Sequence, residues 1–331
     1  MSFEEKDLKS LFNRIGGAML IFILAFNLLC GGSAILGEGL TQLTYSKTVY
    51  VLTELLNAVA YIAAFTIPVW FFGAISKNKR VEPFGLSLVL AKKDTALIST
   101  AMMFLGTSIC FVASYVNSLL FPVSKEAAEI YFSTEEQEGY ALVLMFISTA
   151  IIPAFVEELL FRGVILSSIR PYSEGGAILI SSLLFGLMHQ TPFQLFYATA
   201  IGVILGIIRV RTGSIWTGVL VHFFNNFLSV IQTYLLDRYD EQTGNLIYMI
   251  LTLSIILLGL VLGSVLYIKS QKNNVGAQIG VYQKADFPGT KIFFQREDIK
   301  VYKAFFTPTV IIFIVLCAIT MVSTAIMIGG V

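Results

Sequence analysis

A helix needs about 20 mostly apolar residues to cross the hydrocarbon core of a bilayer. This chain supplies such runs at 15–37, 49–76, 95–120, 140–167, 177–190, 193–211, 214–235, 246–268 and 304–329. The fifth run is short and reads as a broken or tilted helix, so eight or nine spans are expected. The expected fold is an all-α polytopic membrane protein. Composition agrees: 13% of residues are charged and 56% are hydrophobic, against roughly 25% charged in soluble domains. A net charge of +1 gives no reason to expect a nucleic-acid partner. Cys30, Cys110 and Cys317 all lie in apolar runs, where cysteine acts as a small hydrophobe, and no CxxC pair or zinc-type spacing occurs.

Basic residues fix the expected orientation. With Arg162 set aside, 18 of them fall at the N-terminus and in alternate loops, from Lys6, Lys9 and Arg14 to the seven between Lys269 and Lys303. Only Lys47, Lys125 and Arg238 fall on the other side. The N-terminus is therefore expected in the cytoplasm and the C-terminus outside. The opening "MSFEEKDLKSLFNR" mixes charge signs, and the apolar stretch behind it is too long for a signal peptide, so it reads as a retained first span. Three regions are expected: N-terminal spans over 1–139, a core over 140–235, and C-terminal spans over 236–331. The last contains a polar cytoplasmic segment, 270–303, whose "IGVYQKADFPGTKIFFQ" reads as a small hairpin or an irregular linker.

Against this background, "PAFVEELLFRG" (153–163) is costly, because a charge at bilayer depth costs at least about 2.5–3.5 kcal/mol. Glu158 and Arg162 are i,i+4 with the acid first, the favoured helix ion pair. Glu157 points ~100° away and is freer to act on a water. Pro153 removes a helix hydrogen bond four residues earlier, so a kink or opening is expected there. The only two histidines, His189 and His222, also lie in apolar runs. Glu54 is a further in-span carboxylate, near an outer end. At 1.5 Å per residue, Glu157 lies about 15 Å from the cytoplasmic end of its run, His189 about 20 Å, His222 about 12 Å and Asn226 about 18 Å. Three helices thus bring polar groups to one level. His222 and Asn226 share a face, and Asn225 is an alternative donor beside them.

The order E-E-x-x-x-R (Glu157, Glu158, Arg162), F-x-x-x-H (Phe185, His189) and H-x-x-x-N (His222, Asn226) resembles the CPBP family. That family groups CAAX prenyl endopeptidases with bacteriocin-processing and self-immunity (Abi) proteins. The resemblance covers about residues 140–235. It implies an intramembrane peptidase with its site inside the helix bundle, using a glutamate and neither catalytic metal nor cofactor. By motif position, Glu157 and His189 would activate water, His222 and Asn226 would stabilise the oxyanion, and Glu158 and Arg162 would organise the site. The implied partners are membrane lipid and a peptide or lipidated protein substrate: a prenylated CAAX protein, a pheromone precursor or a bacteriocin leader. In a prokaryotic host the location would be the plasma membrane, and a CAAX substrate would not be expected.

Two other readings compete with this one. A metal-dependent peptidase could draw His, His and Glu ligands from separate helices, although no H-E-x-x-H is present. A non-catalytic adaptor or immunity protein would use the same helices without turnover. No repeated halves favour a transporter, no G-x-S-x-G favours serine chemistry, and the G-x-x-x-G at Gly202 and Gly206 reads as helix packing. The nine-run map makes a direct prediction. Reporter fusions at positions 85 and 285 should read cytoplasmic and those at 130 and 240 external; an external reading at 285 would break the map.

Overall fold

A computed structural model of the chain describes residues 3–44, 46–75, 93–120, 139–273 and 296–329. The described residues are almost entirely helical, with no strand among them. The first helix, α1 (Phe3–Ala25), passes through a π-helical segment, Phe26–Cys30, into α2 (Gly31–Leu43). Next come α3 (Lys47–Ile75) and α4 (Lys93–Leu120). The fourth expected span is a composite rod. It runs from α5 (Gly139–Met145) through a π segment (Phe146–Ile151) to α6 (Ile152–Glu158), then through a second π segment (Leu159–Leu166) to α7 (Ser167–Ile169). The remaining helices are α8 (Glu174–Met188), α9 (Pro192–Thr212), α10 (Ile215–Arg238), α11 (Glu241–Asn273), α12 (Arg296–Phe305) and α13 (Pro308–Gly329).

Seven helices among the described residues are long and apolar enough to cross a membrane: Glu5–Leu43, Lys47–Ile75, Gly139–Ile169, Gln194–Thr212, Ile215–Arg238, Glu241–Val265 and Pro308–Ile326. The third and fifth expected runs hold shorter apolar helices, Met103–Asn117 and Glu174–Met188. Large apolar side chains such as Trp70, Leu119, Leu257 and Ile319 stand exposed on the outer faces, as a lipid-facing surface requires. The chain is a multi-pass membrane protein.

The packing puts the composite rod at the centre. Its second π segment lies against α8, which packs closely on α9, while α10 packs on α6 and on the first π segment. A buried cluster runs through this region, from Leu160, Phe161 and Ile165 of the rod to Ile178, Leu184 and Phe185 of α8. It continues into Phe12, Met19 and Phe22 of α1 and Phe313 of α13.

Local chemistry sets where these inner helices start. Ser173 Oγ accepts the Gly176 N–H at 2.7 Å at the head of α8. Thr191 caps α9 through Gln194 N at 3.1 Å, with Pro192 in the first turn. Ser214 caps α10 through Trp216 N at 3.2 Å. Each cap satisfies a backbone donor that the helix itself leaves unpaired. Between α8 and α9 the chain turns at Gln190, whose φ of 56° is unusual for a residue with a side chain. The turn stops α8 at His189.

The close approach of α8 and α9 depends on missing side chains. A Cβ on Gly202 would lie 2.9 Å from Ser182 Cα, so the G-x-x-x-G stretch is a packing face. A Cβ on Gly186 would lie 2.0 Å from Thr199 Oγ1 and 2.6 Å from the Leu195 carbonyl oxygen.

Of the polar segment 270–303, the structure describes residues 270–273 and 296–303. The hairpin sequence itself, 279–295, lies outside the described residues. The flanks are helical: α11 continues to Asn273, and α12 occupies Arg296–Phe305. The helix α12 buries Asp298, Val301, Ala304 and Phe305, a helical spacing short enough to be overlooked within a charged loop. Phe305 meets Phe12 edge-on, with centroids 5.6 Å apart. Ser173 Oγ also donates to Asp298 Oδ1, and Tyr172 Oη donates to Asp7 Oδ2. The turn before α8 is therefore tied to both α1 and α12.

Gly186→Ala tests the α8–α9 contact. Overpacking against backbone should cost about 1–3 kcal/mol. It should appear as a lower melting temperature in detergent.

Candidate active site

The rod delivers its carboxylates between two π segments, which alter the helical register on either side of them. π segments interrupt helices frequently at functional sites. Pro153 has no N–H to offer the Thr149 carbonyl four residues earlier. That carbonyl instead accepts Asn226 Nδ2–H at 3.2 Å. The interruption expected at Pro153 thus has a specific outcome, a tie between the rod and α10.

Glu158 and Arg162 are both fully buried. Arg162 Nη1 donates to Glu158 Oε1 at 2.7 Å, the i,i+4 contact that their spacing predicts. Arg162 Nη2 donates to the Gly202 carbonyl oxygen at 3.0 Å, and the guanidinium lies 4.5 Å from the Phe185 ring centroid. One arginine therefore binds the rod, α9 and α8 together. A Cβ on Gly218 of α10 would lie 2.9 Å from Glu158 Oε2, so that glycine makes room for the carboxylate.

Glu157, on the adjacent face, is also buried. Its Oε1 accepts a hydrogen bond from Tyr61 Oη of α3. Its Oε2 has no hydrogen-bond donor among the described residues and faces His222 Nε2 at 3.7 Å. The other ring nitrogen, His222 Nδ1, lies 3.4 Å from Glu158 Oε1. Both separations exceed a good hydrogen bond; the imidazole lies between the two carboxylates.

His189 reaches the same place through Phe185. Its Nδ1 is 2.8 Å from the Phe185 carbonyl oxygen. A carbonyl only accepts, so Nδ1 carries the proton and Nε2 of the neutral ring keeps its lone pair. The Phe185 ring lies 5.2 Å from the His189 ring and 5.8 Å from the His222 ring, both near edge-on. Asn226 stands one turn beyond His222 and is held by Thr149. Asn225 is engaged with Tyr197 Oη at 3.0 Å and with Asn226 Oδ1 at 3.3 Å.

The structure thus groups Glu157, Glu158, Arg162 and His222 directly, joins His189 to them across Phe185, and sets Asn226 one turn away. Among the described residues, no three His, Cys, Asp or Glu side chains are grouped as a ligand set for a metal ion. Sequence reading missed Tyr61, which lies far upstream of the motifs. The available signal was its position mid-span, since a buried tyrosine hydroxyl needs a polar partner.

Comparison with known proteins follows this geometry. Residues 139–228 match the family model described as Type II CAAX prenyl endopeptidase Rce1-like. This likeness, over one segment of the chain, supports a membrane hydrolase of the CAAX peptidase type. Among curated proteins it is similar to "Putative membrane peptidase YdiL" of Bacillus subtilis (strain 168). The two are 24% identical over 201 residues, which is 59% of this chain and 78% of that protein. No solved structure matches. Tyr61, Phe12 and the whole of α12 and α13 lie outside the Rce1-like segment.

The buried ion pair yields a prediction. Glu158→Leu leaves an uncompensated guanidinium and should cost about 3–5 kcal/mol. The double replacement Glu158→Leu, Arg162→Met should cost less than Glu158→Leu alone, because it removes the stranded charge. Thermal unfolding in detergent measures both, and simple additivity would contradict the pairing.

Proposed function

We propose that the chain is an intramembrane endopeptidase that cleaves a membrane-associated or lipidated peptide by attack of an activated water. The observation that carries this reading is the Glu157 carboxylate. It is buried, one oxygen is held by Tyr61, and the other is unbonded and turned toward His222. An acceptor oxygen kept free in a dry region is suited to take a proton from water. His189 Nε2, with its lone pair fixed by the Phe185 carbonyl, is the second acceptor in the cluster.

The charge that then develops on the scissile carbonyl oxygen needs donors. His222 Nδ1 lies 3.4 Å from Glu158 Oε1, and the Asn226 amide has a second N–H beyond the one given to Thr149. In this scheme Glu157 and His189 accept protons, His222 and Asn226 stabilise the oxyanion, and Glu158 with Arg162 holds the frame. No step requires a metal or cofactor. The tautomer that makes His189 Nε2 a base also makes it a metal donor, which keeps a metal-dependent route as the second reading.

The test is purified protein in liposomes. Its probes are a prenylated CAAX peptide with fluorophore and quencher across the expected bond, and an acyl-anchored peptide of the same sequence. Glu157→Gln and His189→Ala should each abolish turnover, since they act as a unit. Asn226→Ala should lose about 10²–10³ in rate, the usual effect of one oxyanion donor. A chelator should leave the rate unchanged. Full activity in Glu157→Gln would remove the base assignment, and loss restored by added metal would favour the second reading.

A further inference from the structure

The acceptor oxygen of Glu157 is selected by a residue outside the Rce1-like segment. A carboxylate has two equivalent oxygens and rotates about its last bond unless something distinguishes them. Here Oε1 is engaged by Tyr61 Oη, and Oε2 is left facing His222 Nε2 at 3.7 Å. The rod itself offers Glu157 no such partner. The residues one turn to either side are Pro153, Ala154, Leu160 and Phe161, and none has a side-chain donor.

Tyr61 is itself fixed. Its ring lies 4.9 Å from Phe65 and 6.1 Å from Phe26, and Phe22 lies 4.8 Å from Phe65 and 5.5 Å from Phe26. Phe26 opens the π segment of the first span. A closed set of four aromatic rings from α1, its π segment and α3 therefore aims a single hydroxyl into the site. A tyrosine serving only as packing would not need that hydroxyl buried against a carboxylate, and phenylalanine occupies the other three positions.

We propose that Tyr61 is a positioning residue for Glu157. Its hydroxyl occupies Oε1 so that Oε2 alone is presented to the reacting water beside His222. The first and second spans then form part of the catalytic machinery, and the Rce1-like segment depends on them for its geometry. This inference rests on the role proposed above for Glu157, and two measurements separate them.

The variant is Tyr61→Phe, which keeps the ring and its packing. With either peptide probe, kcat should fall by about tenfold to a hundredfold, the range expected for a misplaced reacting group. KM and the melting temperature should stay at wild-type values. Wild-type kcat in Tyr61→Phe overturns the proposal, as does a loss confined to KM. The second measurement needs no substrate. A membrane-permeant carbodiimide is applied to intact protein in liposomes, and adducts on Glu157 and Glu158 are separated by peptide fragmentation in the mass spectrometer. Releasing Oε1 should raise the Glu157-to-Glu158 adduct ratio by about tenfold, the factor expected for a lost charge-assisted hydrogen bond. An unchanged ratio, or a parallel rise at both residues as in general loosening, overturns the proposal. If wild-type protein cleaves neither probe, the peptidase reading fails while the adduct ratio still decides the role of Tyr61.

Discussion

The buried Glu158–Arg162 pair is the contact on which the rest of the site depends. Desolvating two charges costs several kcal/mol per ion, and their attraction offsets this only with good geometry and further hydrogen bonds. Both conditions are met: one guanidinium nitrogen binds the carboxylate at 2.7 Å and another binds the Gly202 carbonyl at 3.0 Å. The Phe185 ring beneath the guanidinium adds an aromatic face. The pair thereby fixes the rotation of the rod relative to α8 and α9. With Glu158 held, Glu157 turns toward α3 and α10, where Tyr61 and His222 meet it.

Small residues make these contacts possible. Gly202 admits Ser182, Gly186 admits Thr199, and Gly218 admits the Glu158 carboxylate. Helices in lipid gain little from burying apolar surface against each other, so close approach and polar contacts carry much of their association. Pro153 contributes in a related way. The N–H it lacks leaves the Thr149 carbonyl available, and Asn226 uses it to tie α10 to the rod.

Chemically, the arrangement separates two adjacent glutamates by their surroundings. Each keeps one oxygen without a hydrogen bond; Glu158 binds Arg162 and turns its free oxygen toward Gly218, whereas Glu157 binds the Tyr61 hydroxyl and turns its free oxygen toward His222. His222 lies between them, 3.7 Å from Glu157 Oε2 and 3.4 Å from Glu158 Oε1. Two consecutive residues meet different surroundings because a helix turns them ~100° apart.

Much of this was already determined by the sequence. Long apolar runs leave helices as the spanning form, and the i,i+4 spacing of Glu158 and Arg162 makes their pairing local. These features depend on separations of four residues or fewer, where the helix itself sets the geometry. Tyr61 lies 96 residues before Glu157, Arg162 reaches Gly202 forty residues away, and Ser173 reaches Asp298 across most of the C-terminal half. No periodicity connects such positions. Only packing decides which helices are neighbours and which face each one turns inward. For the same reason the pairing of Asn226 with Thr149 was decided in three dimensions: proline freed a carbonyl on one helix, and the fold brought an amide from another within reach of it.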